Sequence, residues 1–387
     1  MKKIFLILYV SIITMQLWAQ KSNSISNVQF KIKLKQESFS AFAPITKIKT
    51  TNGKTKKIET GLESMNNLNE QFQVENLEAL FLQSDKFAAR HIKHGLHLWY
   101  MLTIDSVSTE QILQIIAAYS TNPNVEIAEP VILKSPIEPV VKSKLVGGMK
   151  RSGDEGFPND VLFSKQWGLK NNRSVGADID VQRAWAIQKG DPSVIVAVID
   201  GGVDYRHQDL AASMWKNDAE AKGIAGVDDD NNGFVDDIHG WNFKDNKSEI
   251  SPVDHGTHVA GVIAAVSNNS KGIAGIAGGD GSENGVKIMS CQIFGNDFFD
   301  IPGGYEQAFI YAADNGAVIA LNSWGETKDG EYGQSVLDAI DYFIENAGYD
   351  ENNNPVGPMQ GGLVVFAAGN NSTEKPTYPA FYKILLR

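Results

Sequence analysis

Three short strings in the sequence bring together side chains that do chemistry in concert. Asp200-Gly201-Gly202-Val203 supplies a carboxylate, and His255-Gly256-Thr257-His258-Val259-Ala260-Gly261 supplies two imidazoles. Ala367-Ala368-Gly369-Asn370 ends on a side-chain amide. Histidine titrates near neutrality, so an imidazole held by a carboxylate can serve as a general base. Taken singly, each string has a plainer meaning. An Asp leaving a strand commonly caps a turn, and a His opening a helix is commonly solvated. His255 and His258 are spaced to put two imidazoles near one helix face, as in a metal site, but no nearby third ligand is evident.

A fourth string carries only oxygen ligands. Asp228-Asp229-Asp230-Asn231-Asn232-Gly233-Phe234-Val235-Asp236-Asp237 places them at alternate positions around a glycine, echoing the start of an EF-hand loop. The twelfth position is His239 rather than a bidentate Glu, so the loop is not a full EF-hand. Asp228, Asp230, Asn232 and Asp236 or Asp237 are the candidate Ca²⁺ ligands; the alternative is an acidic turn that binds nothing specific.

The elements that must position these groups follow from pattern. The apolar, β-branched run Val194 to Ile199 has the character of a strand buried on both faces, and Asp200 follows it directly. Val286 to Ser290, Ala317 to Leu321 and Leu363 to Ala367 are further strands. Helices are expected over His258 to Val266, Tyr305 to Asn315 and Gln334 to Asn346. Strands alternating with helices predict a parallel α/β sheet, whose ligands gather where strands end. Before this region a smaller α/β unit is expected. It consists of a strand over His97 to Ile104, a helix from Ser108 to Tyr119 opening on Ser-Thr-Glu-Gln, and a strand over Val125 to Leu133.

Composition narrows the class. With 387 residues, 42% hydrophobic and 21% charged, the chain is globular and long enough for two or three domains. The formal charge of −11 argues against a general nucleic-acid binder. Residues 21–150 carry a basic excess and residues 151–387 a large acidic one, which favours their association. The one cysteine, Cys291, excludes an internal disulfide framework. Lys2 and Lys3, the apolar run Ile4 to Met15, and Ala19 before Gln20 have the order of a secretory signal peptide. The run falls short of the roughly 20 residues that span a bilayer, and no Cys follows it for lipid attachment. The expected product is exported, periplasmic or extracellular, without a stable membrane anchor. Expected boundaries are 1–19 signal peptide, 20–137 small α/β domain, 138–157 exposed Pro/Gly/Lys/Ser linker, and 158–387 large α/β domain.

The order Asp200, then HGTHVAG, then AAGN resembles the subtilisin-like serine proteases. The likeness extends over about Pro158 to Tyr382, with Phe163 to Leu169, Asn322 to Gly325 and Tyr378 to Tyr382 contributing. It implies a subtilisin-like parallel sheet with helices on both faces and an exported endopeptidase zymogen acting on polypeptides. Asp200 would orient the imidazole of His255, the general base, and Asn370 would donate to the oxyanion. Ser323, Trp324 and Gly325 resemble the segment along which substrate backbone adds as a strand; ordinary strand-to-loop packing explains them nearly as well. Residues 20–137 resemble a prosegment, which acts as intramolecular chaperone and inhibitor; the alternative is an accessory domain. The resemblance also implies calcium, with a second site using Asp209 and the loop at Asn268 or Asn269.

The family's nucleophile lies in a Gly-Thr-Ser-x-Ala-x-Pro string that does not occur among these residues. Ser372 alone follows Asn370, in different surroundings. The expectation is therefore a peptidase domain truncated before its serine and inactive as written. A non-catalytic, calcium-dependent peptide-binding or decoy protein stands as the alternative.

Overall fold

The computed structural model describes residues 25–43, 45–47, 57–132, 134–136, 158–171, 174, 176–295, 304–326, 332–370 and 377–382. The expected signal peptide and the 138–157 linker lie outside them. Two compact units form. The first comprises the described residues of Met1–Leu82 and His91–Val131, the second those of Gln83–Arg90 and Ile132–Arg387.

In the first unit, β1 (Ile25–Leu34) pairs antiparallel with both β5 (Trp99–Val107) and β6 (Val125–Pro130), and β4 (Val74–Ala79) lies on the far side of β5. A separate short pair joins β2 (Ile45–Lys47) and β3 (Lys57–Glu59). Phe30, Ile32 and Leu34 recur every second residue on β1, so one face of the strand enters the core. Helix α1 (Glu63–Gln71) contributes Met65, and α2 (Thr109–Ser120) contributes Ile112, Ile115, Ile116 and Tyr119. The α2 start is fixed by a reciprocal cap. Ser108 Oγ accepts from the Gln111 backbone N–H at 3.2 Å, and Gln111 Oε1 accepts from the Ser108 N–H at 2.8 Å. The strand expected from His97 starts two residues later, because Leu96–Leu98 forms a single 3₁₀ turn.

The second unit is built on five parallel strands: β8 (Ile195–Gly201), β9 (Gly240–Asn242), β10 (Lys287–Phe294), β11 (Ile319–Asn322) and β13 (Leu363–Phe366). Their order across the sheet is β13-β11-β8-β10-β9. Helix α3 (Asp218–Lys222) lies between β8 and β9 in sequence, α4 (Asp254–Ala264) between β9 and β10, α5 (Gly304–Asp314) between β10 and β11, and α6 (Gln334–Asn346) before β13. Val196 and Val198 pack with Ala260 and Ala264 of α4; Ala197 and Ile199, which alternate with them, are equally buried. Both faces of β8 are therefore covered, as its unbroken apolar run requires. Two short strands lie apart from this sheet: β7 (Lys134–Pro136) pairs antiparallel with β12 (Trp324–Glu326).

The strand order sets the position of the site. From β8 the chain passes through β9 to β10 on one side, then crosses to β11 on the other. The sheet thus reverses its winding at β8, and Asp200 sits at the C-terminal end of that strand, the position where open α/β sheets gather their ligands.

Candidate active site

Helix α4 begins at Asp254, four residues before the expected start, which puts His255 in its first turn rather than ahead of it. An acidic residue suits that turn, because the helix N-terminus carries partial positive charge. The close approach of α4 to β8 depends on small residues. A Cβ on Gly256 would lie 1.9 Å from the Gly201 carbonyl oxygen, and one on Gly202 would lie 2.1 Å from the Ser251 oxygen. The Val253 N–H donates to the Gly202 carbonyl at 2.7 Å, and the Asp204 N–H donates to Thr257 Oγ1 at 3.0 Å. The glycines of both strings thus act together, letting two backbones meet at the end of β8.

At that junction Asp200 Oδ1 and His255 Nδ1 are 2.6 Å apart. Asp200 is fully buried and His255 nearly so. The same Asp200 oxygen accepts the Gly201 N–H at 2.6 Å, which fixes the carboxylate plane. An ionised carboxylate only accepts, so it places the imidazole proton on Nδ1 and leaves Nε2 as the basic nitrogen. His258 is exposed, one turn further along α4, and does not join this pair.

The other site residues lie on neighbouring strands. Asn322 closes β11 opposite Ile199, so the Ser323-Trp324-Gly325 segment leaves the sheet one residue from the level of Asp200. The Trp324 side chain is buried and its Nε1–H donates to the Ile199 carbonyl at 2.9 Å, tying β12 to β8. Its backbone, with that of Gly325, pairs with β7. Asn370 is exposed four residues past β13, at the same edge of the sheet. It follows Gly369, whose φ of +95° favours glycine. Ser372 lies outside the described residues.

The acidic loop separates into two groups. Asp228 and Asp230 converge with Glu220 of α3, one oxygen from each lying within 4.8 Å of the others. Glu220 was not among the candidates, since nothing in its local spacing marks it. Its Oε1 accepts the Asp229 N–H at 2.6 Å and its Oε2 accepts the Asp236 N–H at 2.8 Å. Of the remaining candidates, Asn232 and Asp237 turn inward. Asp237 accepts from Asn217 Nδ2, Asn232 Nδ2 and Tyr311 Oη at 2.8, 3.0 and 2.6 Å. Burial pushes its carboxyl up to about 6. Asn232 spends its amide on Asp237 and Asn315, and Asp236 Oδ2 accepts the Gly226 N–H. Phe234 packs edge-on against Trp241, Phe243 and Tyr311, anchoring the loop. Elsewhere Asp209 accepts from Asn269 Nδ2 at 2.7 Å and from the Ile273 N–H at 2.9 Å. Asp160, also unforeseen, accepts the Asn268 N–H at 2.7 Å, and burial holds its carboxyl above the ordinary range.

A buried Asp–His pair at the switch point of a parallel sheet defines the hydrolase-like class to which comparison then gives a family. The model of the subtilase family matches residues 191–386, just over half of the chain. Subtilisin-like protease 1 of Plasmodium berghei is 36% identical over 146 residues, covering 36% of this chain and 23% of that protein. Thermitase of Thermoactinomyces vulgaris is 31% identical over 227 residues, covering 58% of this chain and 62% of thermitase. The match therefore takes in less than two thirds of either relative. The fold is similar to that of fervidolysin from Fervidobacterium pennivorans, with a TM-score of 0.53 at 19% identity over 93% of this chain and 42% of that one. The chain belongs to the subtilase family.

Proposed function

We propose that the protein is the precursor of an exported subtilisin-like serine endopeptidase that hydrolyses peptide bonds in polypeptides. The observation that carries the proposal is the 2.6 Å contact of Asp200 with His255 at the end of β8. Asp200 holds the imidazole by Nδ1, so Nε2 is the nitrogen that takes a proton. His255 removes the proton from a serine hydroxyl as it attacks the scissile carbonyl, then returns it to the leaving amine. The Asn370 amide donates to the carbonyl oxygen as it becomes negative. The backbone of Ser323-Trp324-Gly325 receives the substrate as an added strand. Residues 20–137 are the prosegment, and Lys2 to Ala19 directs export.

Calcium is structural in this proposal. Three carboxylates converging with no basic partner among the described residues repel one another, and a hard divalent cation would relieve that repulsion. Glu220, Asp228 and Asp230 would hold it, fixing the loop that leads into β9. The second position, at Asp209 and Asn269, would tie the 268–273 loop to the sheet.

The test uses the full-length gene product. A fluorophosphonate is expected to label it, and His255→Ala is expected to lower peptide hydrolysis about 10⁶-fold, the established figure for subtilisin itself. A full-length product that takes no label and cleaves no peptide would sink the endopeptidase reading. The pairing of β7 with β12 supports a second reading, a non-catalytic peptide binder, since strand addition needs no nucleophile. Peptide binding without labelling would favour it.

A further inference from the structure

β12 starts beside Asp200 and runs away from it, because Asn322 pairs with Ile199 and Trp324 to Glu326 follow. β7 is antiparallel, with Pro136 opposite Trp324 and Lys134 opposite Glu326. It therefore runs toward Asp200, as a peptide would whose scissile bond lies beyond Pro136. Lys134 sits on the upstream end of this segment, and its side chain is only 2% exposed.

Lysine is almost never fully buried without compensation. Here Nζ lies 5.0 Å from the centroid of the Tyr305 ring, within cation–π range. Tyr305 is itself buried, packs against the Trp324 ring at 5.9 Å, and directs its hydroxyl to the Ile132 carbonyl at 3.4 Å. It occupies the first turn of α5, where the helix dipole repels a cation. The next residue, Glu306, adds a carboxyl to the same turn. It is fully buried, and its Oε1 accepts from Ser335 Oγ at 3.0 Å. An ammonium that has left water needs such a negative charge close by.

We propose that the place taken by Lys134 is a selectivity pocket for a basic side chain, faced by Tyr305 and backed by Glu306. A peptide bound along β12 would present Lys or Arg two residues upstream of the one opposite Trp324. The proposal rests on the reading of β12 as the substrate strand and adds which side chain it selects.

Hydrogen exchange on the full chain tests it first. In the native chain and in Lys134→Arg, β7 and β12 are expected to be protected alike. Lys134→Leu and Lys134→Glu are expected to raise exchange there roughly tenfold, the order of one lost charge-assisted contact. If Leu protects as well as Lys, the pocket is merely apolar and the proposal is overturned. A second measurement separates this from failure of the strand reading. To the Lys134→Glu chain, a labelled peptide with the sequence of residues 131–137 is added, along with versions carrying Leu or Glu for Lys. The Lys peptide is expected to bind at least about tenfold more tightly, and Glu306→Gln is expected to erase that preference. Equal binding of the three peptides overturns the pocket. Rapid exchange of β12 in the native chain, with the Lys preference intact, would overturn the strand reading and leave the pocket standing.

Discussion

The two units bury polar side chains of different kinds. Apart from Lys31 and Glu129, which are register partners on β1 and β6, the buried polar groups of the first are mostly uncharged types: Tyr119 Oη donates to Asn69 Oδ1 at 2.6 Å, and Thr60 Oγ1 donates to Asn66 Oδ1 at 2.9 Å. The second buries carboxylates, namely Asp160, Asp200, Asp209, Glu220, Asp237 and Glu306. A neutral hydrogen bond closes a core at little net cost, whereas a buried carboxylate must be met by several donors. Asp200 and Glu220 meet that need with backbone N–H groups, which ties each to the geometry of one turn. The first unit spends polarity on folding; the second spends it on placing charge at the end of a sheet. Breaking this contrast calls for variants whose effects stay within one unit.

The largest effect is expected at Arg90. Its guanidinium, 4% exposed, belongs to the second unit with the rest of Gln83–Arg90, a segment whose chain continues into the first unit on both sides. It pairs with Asp314, donates from Nε to Tyr342 Oη at 2.7 Å, and donates to the carbonyls of Tyr349 and Asp350 at 3.2 Å. Arg90→Ala strands the buried Asp314 carboxylate. It is expected to destabilise the second unit by about 3–5 kcal/mol, seen as a lower denaturation midpoint. An unchanged midpoint would show that the surrounding donors alone suffice.

Next comes Gly256→Ala. The added Cβ would meet the Gly201 oxygen, so α4 must shift away from β8. Overpacking of this kind costs about 1–3 kcal/mol, and the Asp200–His255 hydrogen bond should weaken with it. A downfield imidazole N–H signal read by NMR would report that loss. Gly168→Ala is the control, since a Cβ there meets nothing within 4 Å, and its effect is expected to stay within about 0.5 kcal/mol.

Ser108→Ala confines its effect to the first unit. Removing the hydroxyl frees the Gln111 N–H and breaks half of the reciprocal cap, at a cost of about 1 kcal/mol. Exchange of the α2 amides should rise while that of α4 does not.

What the sequence disclosed and what it withheld divide along the same physical line. The β8 run, the Ser108 cap and the strings that carry Asp200 and His255 were legible because each is local, set by a period, a cap or a string. The α4 start was missed by four residues because its opening turn is polar and glycine-containing, so its apolar periodicity begins late. Glu220 was invisible because it meets Asp228 and Asp230 only after α3 folds back on the loop. Asn232 and Asp237 belong to the same oxygen-rich string as Asp228 and Asp230, yet Tyr311 of α5 draws Asp237 inward from 74 residues away. The pairing of Trp324 with Pro136 joins segments that no spacing rule connects. Long-range contact decides such cases, and pattern alone does not carry it.

The smallest expected effect separates the units by pH. His97 in the first unit is buried, its Nδ1 has no hydrogen-bond partner among the described residues, and its ring stands edge-on to Phe39 at 4.6 Å. Burial, with the Lys33 charge adding, holds its pKa below the ordinary histidine value. The folded form thus binds its proton more weakly than the unfolded one. Its contribution to stability is present above the unfolded value of about 6.5 and is lost as pH falls through the folded one. The first unit should therefore loosen between neutral and mildly acidic pH, and His97→Gln should flatten that dependence. His239 in the second unit is shifted the same way by its own burial, so the whole-chain melting temperature would mix the two. Exchange rates read separately over β5 and β10 keep them apart. A β5 profile that stays pH-dependent in His97→Gln would move the acid response to some other group of the first unit.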